Sequence, residues 1–419
     1  MRDPYPLWEF LTPPSEHGRP ERMAVAAEGT RVRFADGRWA LCATSGLWNV
    51  NLGYGNRAVA EAVARALLEA SYLTLFRAGH VPAVTAARAL LDACDPDGLG
   101  KVLFSTSGSA ANDLAQKVAR LYWALRGEPG RRVVVGLRGS YHGMTYGAFA
   151  LTGERLGQDR YGVDRRLVRH VAHDDDGAGL RTLLRREADR IAAVVVEPVL
   201  GSGAHVLTSA FLSELDRLRR EHGFLLVADE VATGFGRTGR LFASQGWPFR
   251  PDMVITSKGL TNGTCGAAAV MVSHAISSTV AAADAVLVHG ETQAGTPSTC
   301  AAILATLAET DRLDALGLAS RLSAELTALA EGLADHPLVE GHRGTGCFRA
   351  LLLRGTDGHL DADQVARVVT EIAGEGALVQ PGPSAVQLVP ALTYGVGEVA
   401  ELEQCVRKGL DRAAEVLVR

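Results

Sequence analysis

The chain has 419 residues, 43 basic and 47 acidic side chains, and a formal net charge of −4. That length exceeds one ordinary core, so two domains, or one with an appended layer, are expected. The charge gives no electrostatic case for binding nucleic acid or a membrane surface. Hydrophobic content of 47% and charged content of 21% are those of a soluble globular protein. No apolar run approaches the roughly 18 residues of a membrane span. Six scattered cysteines without a C-x-x-C pair indicate neither a zinc site nor a disulfide framework, and reduced thiols in a cytoplasm are the simple reading.

Met1 to Phe10 carries charges and prolines but no apolar h-region, so no signal peptide is expected. Residues 1–48 read as an extended lead-in with short strands, such as Arg31 to Phe34 before the Asp36-Gly37 turn. Residues 57–70 have helical spacing. From about residue 101 strands and helices take turns. Lys101–Phe104, Arg132–Gly136, Ile191–Val196, Phe224–Ala228, Met253–Thr256 and Ala267–Ser273 are apolar runs of strand length, and Ala110–Leu125 and Thr208–Glu221 are helical patterns between them. Such alternation argues for an α/β fold with a mostly parallel central sheet and helices on both faces. Residues 298–335 are helix-rich with a break near 310–316, and 338–419 alternate strand and helix on a smaller scale. The expected division is a large domain over 49–310, a smaller α/β domain over 311–419, and the 1–48 segment packed with the latter.

Only four lysines stand against thirty-nine arginines, and Lys258 closes the strand Met253–Thr256 just before Gly259. Asp229 likewise closes the strand Phe224–Ala228. A strand-end amine beside a strand-end carboxylate suits pyridoxal phosphate chemistry, with a lysine for the Schiff base and an acid for the pyridine nitrogen. Arginine cannot replace that lysine, because it does not lose its proton. A lone strand-end aspartate is more often a helix cap. Ser105 to Asp113 follows a strand and opens a helix, with Ser107, Gly108 and Ser109 at its start. That arrangement suits a phosphate, although an ordinary serine-capped helix looks the same. Tyr141 and His142 follow another strand, where an aromatic can stack on a planar ring or simply pack a loop. Glu197 closes the run 191–196, and ligands in open α/β sheets bind at that edge.

Taken together these segments resemble class III aminotransferases of the fold type I pyridoxal phosphate enzymes. The resemblance rests on Gly46 to Gly55, Ser107 to Asn112, Tyr141-His142-Gly143, Glu197-Pro198, Asp229 to Gly239, Ser257-Lys258-Gly259 and His289 to Thr292, and spans most of the chain. It implies that Lys258 binds the cofactor and moves the substrate proton, and that Asp229 pairs with the ring nitrogen. Tyr141 and Val231 would cover the two ring faces, with His142 beside them. Ser107, Gly108 and Ser109 would hold the phosphate, and Glu197 would stand nearby. Thr292 resembles a threonine that reaches the neighbouring subunit's cofactor, which implies a homodimer with shared active sites. Trp48, Phe76 and Arg77 fall in segments that line the substrate pocket.

Two departures bear on substrate. Many relatives carry an arginine that clamps a substrate carboxylate in a segment resembling Leu378 to Pro381, where this chain has Gln380. A glutamine lacks the charge and the fork, so one substrate is expected to present no carboxylate there unless another arginine, Arg77 among them, supplies the clamp. The other departure is Ala110, where the resemblance predicts glutamate. No histidine or acidic run has metal-ligand spacing, and Asp174-Asp175-Asp176 reads as a solvated loop. The expected activity is transfer of an amino group from an amine or amino acid to a ketone or aldehyde, the acceptor being an ω-amine precursor or a carbonyl on a larger biosynthetic molecule. Decarboxylation or amino-group return by the same cofactor is the alternative, and a non-catalytic binding protein the rival of another class.

Overall fold

The structure, a computed structural model, describes residues 5–355 and 358–417. The first four residues of the stretch read for a targeting signal lie outside it. The centre is a seven-stranded sheet. Its strands are β1 (Leu99–Ser105), β2 (Val133–Leu137), β3 (Val168–Val171), β4 (Ile191–Val196), β5 (Leu225–Asp229), β6 (Met253–Thr256) and β7 (Ala268–Ser273). They lie in the order β1-β7-β6-β5-β4-β2-β3, with β7 antiparallel to both neighbours and the rest parallel. Strands β2, β4, β5 and β6 are buried throughout, as parallel strands covered on both faces must be. The strand β3 escaped the sequence reading because it is a four-residue edge strand carrying Arg169 and His170, with no continuous apolar run.

Side-chain alternation sorts the two faces. Val134, Val195, Leu225 and Val227 face helices Gly108–Leu125 and Tyr146–Leu151, meeting Leu114, Val118 and Phe149. Val133, Val135, Val194 and Leu226 face helices Ala178–Glu187 and Ser209–His222, meeting Leu180, Phe211 and Leu215. Asp229 continues the parity of Leu225 and Val227. Its side chain is therefore delivered to the face that carries helix Gly108–Leu125.

Helices Pro297–Arg312 and Ala315–Gly332 follow, with the turn at Asp314 in a left-handed conformation (φ 49°). A second, antiparallel sheet uses Val339–Thr345, Phe348–Gly355, Ala385–Leu388 and Gln380–Gly382. Helices Ala362–Gly374 and Val396–Leu417 cover it. The lead-in strands Ala24–Glu28, Arg31–Phe34 and Trp39–Cys42 pair in turn, and the last pairs with Ala377–Leu378. Leu41, Ala43 and Leu52 share one core with Leu322, Leu351 and Leu402. Among the described residues no helix is long and apolar enough to cross a membrane.

Arg237 joins these parts. It is fully buried and, among the described residues, has no carboxylate partner. Its guanidinium donates to the Pro390 carbonyl, to Asn51 Oδ1 at 2.5 Å and to Ser45 Oγ at 2.9 Å. Burial pulls its pKa down to about 10. Ser45 in turn donates to the Val389 carbonyl at 2.7 Å and begins a turn, Ser45–Trp48, whose four residues all have positive φ. Each such non-glycine residue costs ~1–2 kcal/mol, so outside contacts must hold the turn. Arg237→Ala would strand buried oxygens on three segments and is expected to lower stability by about 3 kcal/mol or more, measured as a fall in the denaturant midpoint. Arg237→Lys should recover little of it, because one ammonium cannot span the same acceptors.

Candidate active site

Strands β5 and β6 are parallel neighbours with Asp229 opposite Ile255. Their C-terminal ends therefore place Asp229 and Lys258 at one edge of the sheet. Lys258 opens a short helical turn, Lys258–Thr261, in a left-handed conformation (φ 50°). A non-glycine residue held there is locally strained, a state that gathers at functional sites. Gly259 follows because a Cβ at that position would lie 2.7 Å from Asn51 Nδ2 and 3.0 Å from Phe235 Cβ. The Lys258 ammonium lies 4.6 Å from the centre of the Trp48 ring, which the strained turn presents, and Phe348 backs that ring at 5.9 Å. Burial pushes the Lys258 ammonium below its ordinary pKa; the charges of Glu197 and Asp229 oppose the shift and Arg237 adds to it.

Asp229 is 2% exposed, and among the described residues no lysine or arginine bonds to it. Its Oδ2 accepts from Asn112 Nδ2 at 2.8 Å and lies 2.7 Å from His142 Nδ1, and its Oδ1 accepts from the Val231 N–H at 3.1 Å. An ionised carboxylate only accepts, so His142 donates from Nδ1. Of about four acceptor directions, three are used, and one remains for a donor from the cleft. Burial works against the His142 imidazolium, but the hydrogen bond and charge of Asp229, with Glu197 behind, outweigh it and raise its pKa. Asn112 was quoted in the sequence as part of the helix opening but given no role. Its spacing of four from Gly108 on a helix facing β5 is the signal that could have assigned one.

Glu197, 3% exposed, accepts from the Tyr141 N–H and the Gly201 N–H, both at 2.9 Å. It thus fixes the start of the Tyr141-His142-Gly143 loop. Burial pushes its carboxyl up to about 7, helped by Asp229 and opposed by His142 and the two N–H groups. At the head of helix Gly108–Leu125, Ser107 Oγ accepts from Ala110 N–H at 3.2 Å. The first N–H groups of the helix, at Gly108 and Ser109, point out of its end without an intrahelical acceptor. Ser109 Oγ accepts from Met144 N–H at 3.0 Å and keeps its hydroxyl proton for another acceptor. A Cβ on Gly108 would come within 3.0 Å of Val231 Cγ1, and one on Gly143 within 1.8 Å of Ser109 Oγ. Ser109, Gly108, Val231, Asp229, His142, Tyr141 and Glu197 thus form one chain of contacts, with Lys258 and Trp48 across from it.

The remaining sequence candidates sit apart. Phe76 is 52% exposed and packs against Gly290. Arg77 has a left-handed backbone (φ 55°) and joins no ion pair among the described residues. Gln380 lies on the small antiparallel sheet opposite Gln387. Thr292 is exposed, its carbonyl accepting from the Tyr72 hydroxyl at 3.0 Å. No hydrogen bond ties Arg77, Gln380 or Thr292 to Lys258 or Asp229 among the described residues. No group of metal-ligating side chains is present among them either.

Pyridoxal phosphate fits these residues. A buried carboxylate has one free acceptor direction, buried polar atoms at His142 Nε2 and Asn112 Oδ1 lack partners among the described residues, and the same edge of the sheet offers a helix end and an amine with a lowered pKa.

Comparison with known proteins agrees. Residues 14–408 match the family described as Aminotransferase class-III. An omega-aminotransferase of Caulobacter vibrioides is 31% identical, over 96% of this chain and 97% of its own. An acetylornithine aminotransferase of Mycolicibacterium smegmatis is 33% identical, over 97% and 98%. The fold is similar to that of an amine transaminase from an uncultivated Pseudomonas species in its PLP-bound form, with a TM-score of 0.91 at 29% identity, covering 97% of this chain and 99% of that one. The chain belongs to the class III aminotransferases and is a pyridoxal phosphate-dependent enzyme that transfers amino groups.

Proposed function

We propose that this enzyme moves an amino group from an amine or amino acid to a ketone or aldehyde of the ω-amine or biosynthetic tailoring type, with Lys258 and Asp229 as its catalytic residues. The observation that carries the assignment is the pairing of a buried Asp229, held by an amide and an imidazole, with a half-buried Lys258 of lowered pKa at neighbouring strand ends. Bound pyridoxal phosphate supplies an electron sink for the charge left on a substrate carbon when its proton is removed. Asp229 would keep a proton on the ring nitrogen through a charge-assisted bond, and Asn112 and His142 hold the carboxylate in place for it. Lys258 is the amine that would hold the cofactor and would carry the substrate proton over a short distance, which a lowered pKa favours. Ser107, Gly108 and Ser109 receive the phosphate at the helix end. Tyr141 and Val231 would cover the two faces of the ring, and Trp48, which lies over Lys258, would bound the substrate side. The relatives named are aminotransferases, and nothing in the site favours decarboxylation or return of the amino group to the same molecule.

A homodimer is the working unit in this reading. Tyr72, Leu73 and Phe76 on one stretch and Val286 and Val288 on another expose 39–83% of their surface in a single chain. Large apolar surface of this kind marks an interface. The Tyr72 hydroxyl and Phe76 tie the two stretches together through Thr292 and Gly290. The exposure of Thr292 beside these stretches supports a role for it toward the partner's cofactor phosphate. The six cysteines are all free, which supports a cytoplasmic setting.

Gln380 and Gln387 face each other across the small sheet, so that strand pair offers amides and no guanidinium. One substrate is therefore a neutral ketone or aldehyde, or a carbonyl on a larger molecule, with Arg77 as the rival clamp for a carboxylate.

Lys258→Ala is expected to slow amino transfer roughly ten-thousandfold, read as formation of the amine form of the cofactor from a panel of donors without release of CO2. CO2 release by the unaltered enzyme would favour decarboxylation. Asp229→Asn should slow the donor half-reaction on the order of a thousandfold in a stopped-flow measurement. Gln380→Arg should raise the preference for pyruvate and 2-oxoglutarate over neutral ketones by about tenfold. An unchanged ratio of kcat/KM would contradict the neutral-substrate reading.

A further inference from the structure

Between helices His274–Ala282 and Pro297–Arg312 the chain runs without regular structure. Val286 and Val288 point outward, and Gly290 and Thr292 make the contacts with Phe76 and Tyr72 already described. Glu291 is the residue that fastens this stretch to the sheet. Its Oε1 accepts from Ser105 Oγ at 2.5 Å, and its Oε2 accepts from the Thr106 N–H at 2.9 Å and from the Thr106 hydroxyl. His289 Nε2 lies 3.5 Å from Oε1, and its bond to the carboxylate also lowers the Glu291 pKa. Burial works against the Glu291 charge, but the bonds from Ser105 and Thr106 outweigh it and hold its carboxyl below the ordinary value. Glu291 is therefore an anion at neutral pH.

Ser105 ends β1, and Ser105-Thr106 is the turn that leads into Ser107, Gly108 and Ser109. A carboxylate that takes three donors from this turn does two things. It consumes the hydroxyls of Ser105 and Thr106, which leaves the N–H groups of Gly108 and Ser109 and the hydroxyls of Ser107 and Ser109 as the donors of the phosphate end. It also fixes the backbone immediately before those donors, which sets their direction.

We propose that Glu291 is a positioning residue for the phosphate end of the cofactor, clipping the stretch that carries Thr292 to the turn that aims Gly108 and Ser109. Cofactor affinity and the order of residues 284–296 are then coupled through one carboxylate. The proposal rests on the cofactor reading above and adds a residue that neither touches the ring nor takes part in proton transfer.

The test titrates cofactor-free protein with pyridoxal phosphate and, separately, with pyridoxal, following the absorbance of the linkage, for the unaltered protein, Glu291→Gln and Glu291→Ala. The dissociation constant for pyridoxal phosphate should rise about tenfold in Glu291→Ala and less in Glu291→Gln, which keeps one acceptor for Thr106. That for pyridoxal should not change in either. Unchanged affinity for pyridoxal phosphate in both variants would overturn the proposal. So would equal losses for both ligands, since these report general damage to the pocket, which circular dichroism would register independently. Binding of neither ligand by the unaltered protein would overturn the cofactor reading and this proposal together.

Discussion

The constraint on which the site depends is a carboxylate kept inside the protein with a histidine, and no lysine or arginine among the described residues, as its titratable partner. Asp229 is buried at the end of a buried strand and is held by an amide, an imidazole and one backbone N–H. An arginine or lysine in contact with it would satisfy it permanently and leave nothing for a ligand. Neutral and histidine donors stabilise the carboxylate while one acceptor direction stays open. Everything around follows from supplying those donors. Helix Gly108–Leu125 must lie over β5 to bring Asn112, and the loop after β2 must be pinned by Glu197 to bring His142. The same helix then offers its N-terminus to a phosphate at no further structural cost.

Arg237 presents the complementary case. It too is buried, with no carboxylate partner among the described residues, but its donors are spent on fixed oxygens from the lead-in and the C-terminal sheet. It holds the left-handed turn Ser45–Trp48 against its own strain, and that turn sets the Trp48 ring above Lys258. Remote parts of the sequence are thereby tied to the reacting amine by one guanidinium. The two buried charges divide the labour, one left incomplete for a ligand and the other completed to make a frame.

The sequence showed much of this because its signals are local. Strands Ile191–Val196 and Met253–Thr256 stand where their apolar runs placed them, since a strand buried on both faces must be continuously apolar. The single lysine at a strand end stood out in a chain whose cations are otherwise nearly all arginine. What stayed hidden is what depends on distant partners. Four successive left-handed residues cannot be read from Ser-Gly-Leu-Trp, because the bonds that hold them come from residues 237 and 389. The antiparallel run of β7 is invisible to an alternation pattern, which gives period and not direction. Asn112 and Glu291 carry no motif of their own; each takes its meaning from what the fold sets beside it, Asp229 in one case and Ser105-Thr106 in the other.

Attachment of the cofactor at a single amine is the claim most open to direct measurement, and a chain with lysines only at 101, 117, 258 and 408 makes the measurement clean. The protein loaded with pyridoxal phosphate would be reduced with borohydride, digested and analysed by peptide mass. One peptide is expected to carry the reduced phosphopyridoxyl group, on Lys258, and Lys258→Ala should carry none. Label on Lys101, Lys117 or Lys408, or no label in the unaltered protein, would contradict the placement of the chemistry over Asp229.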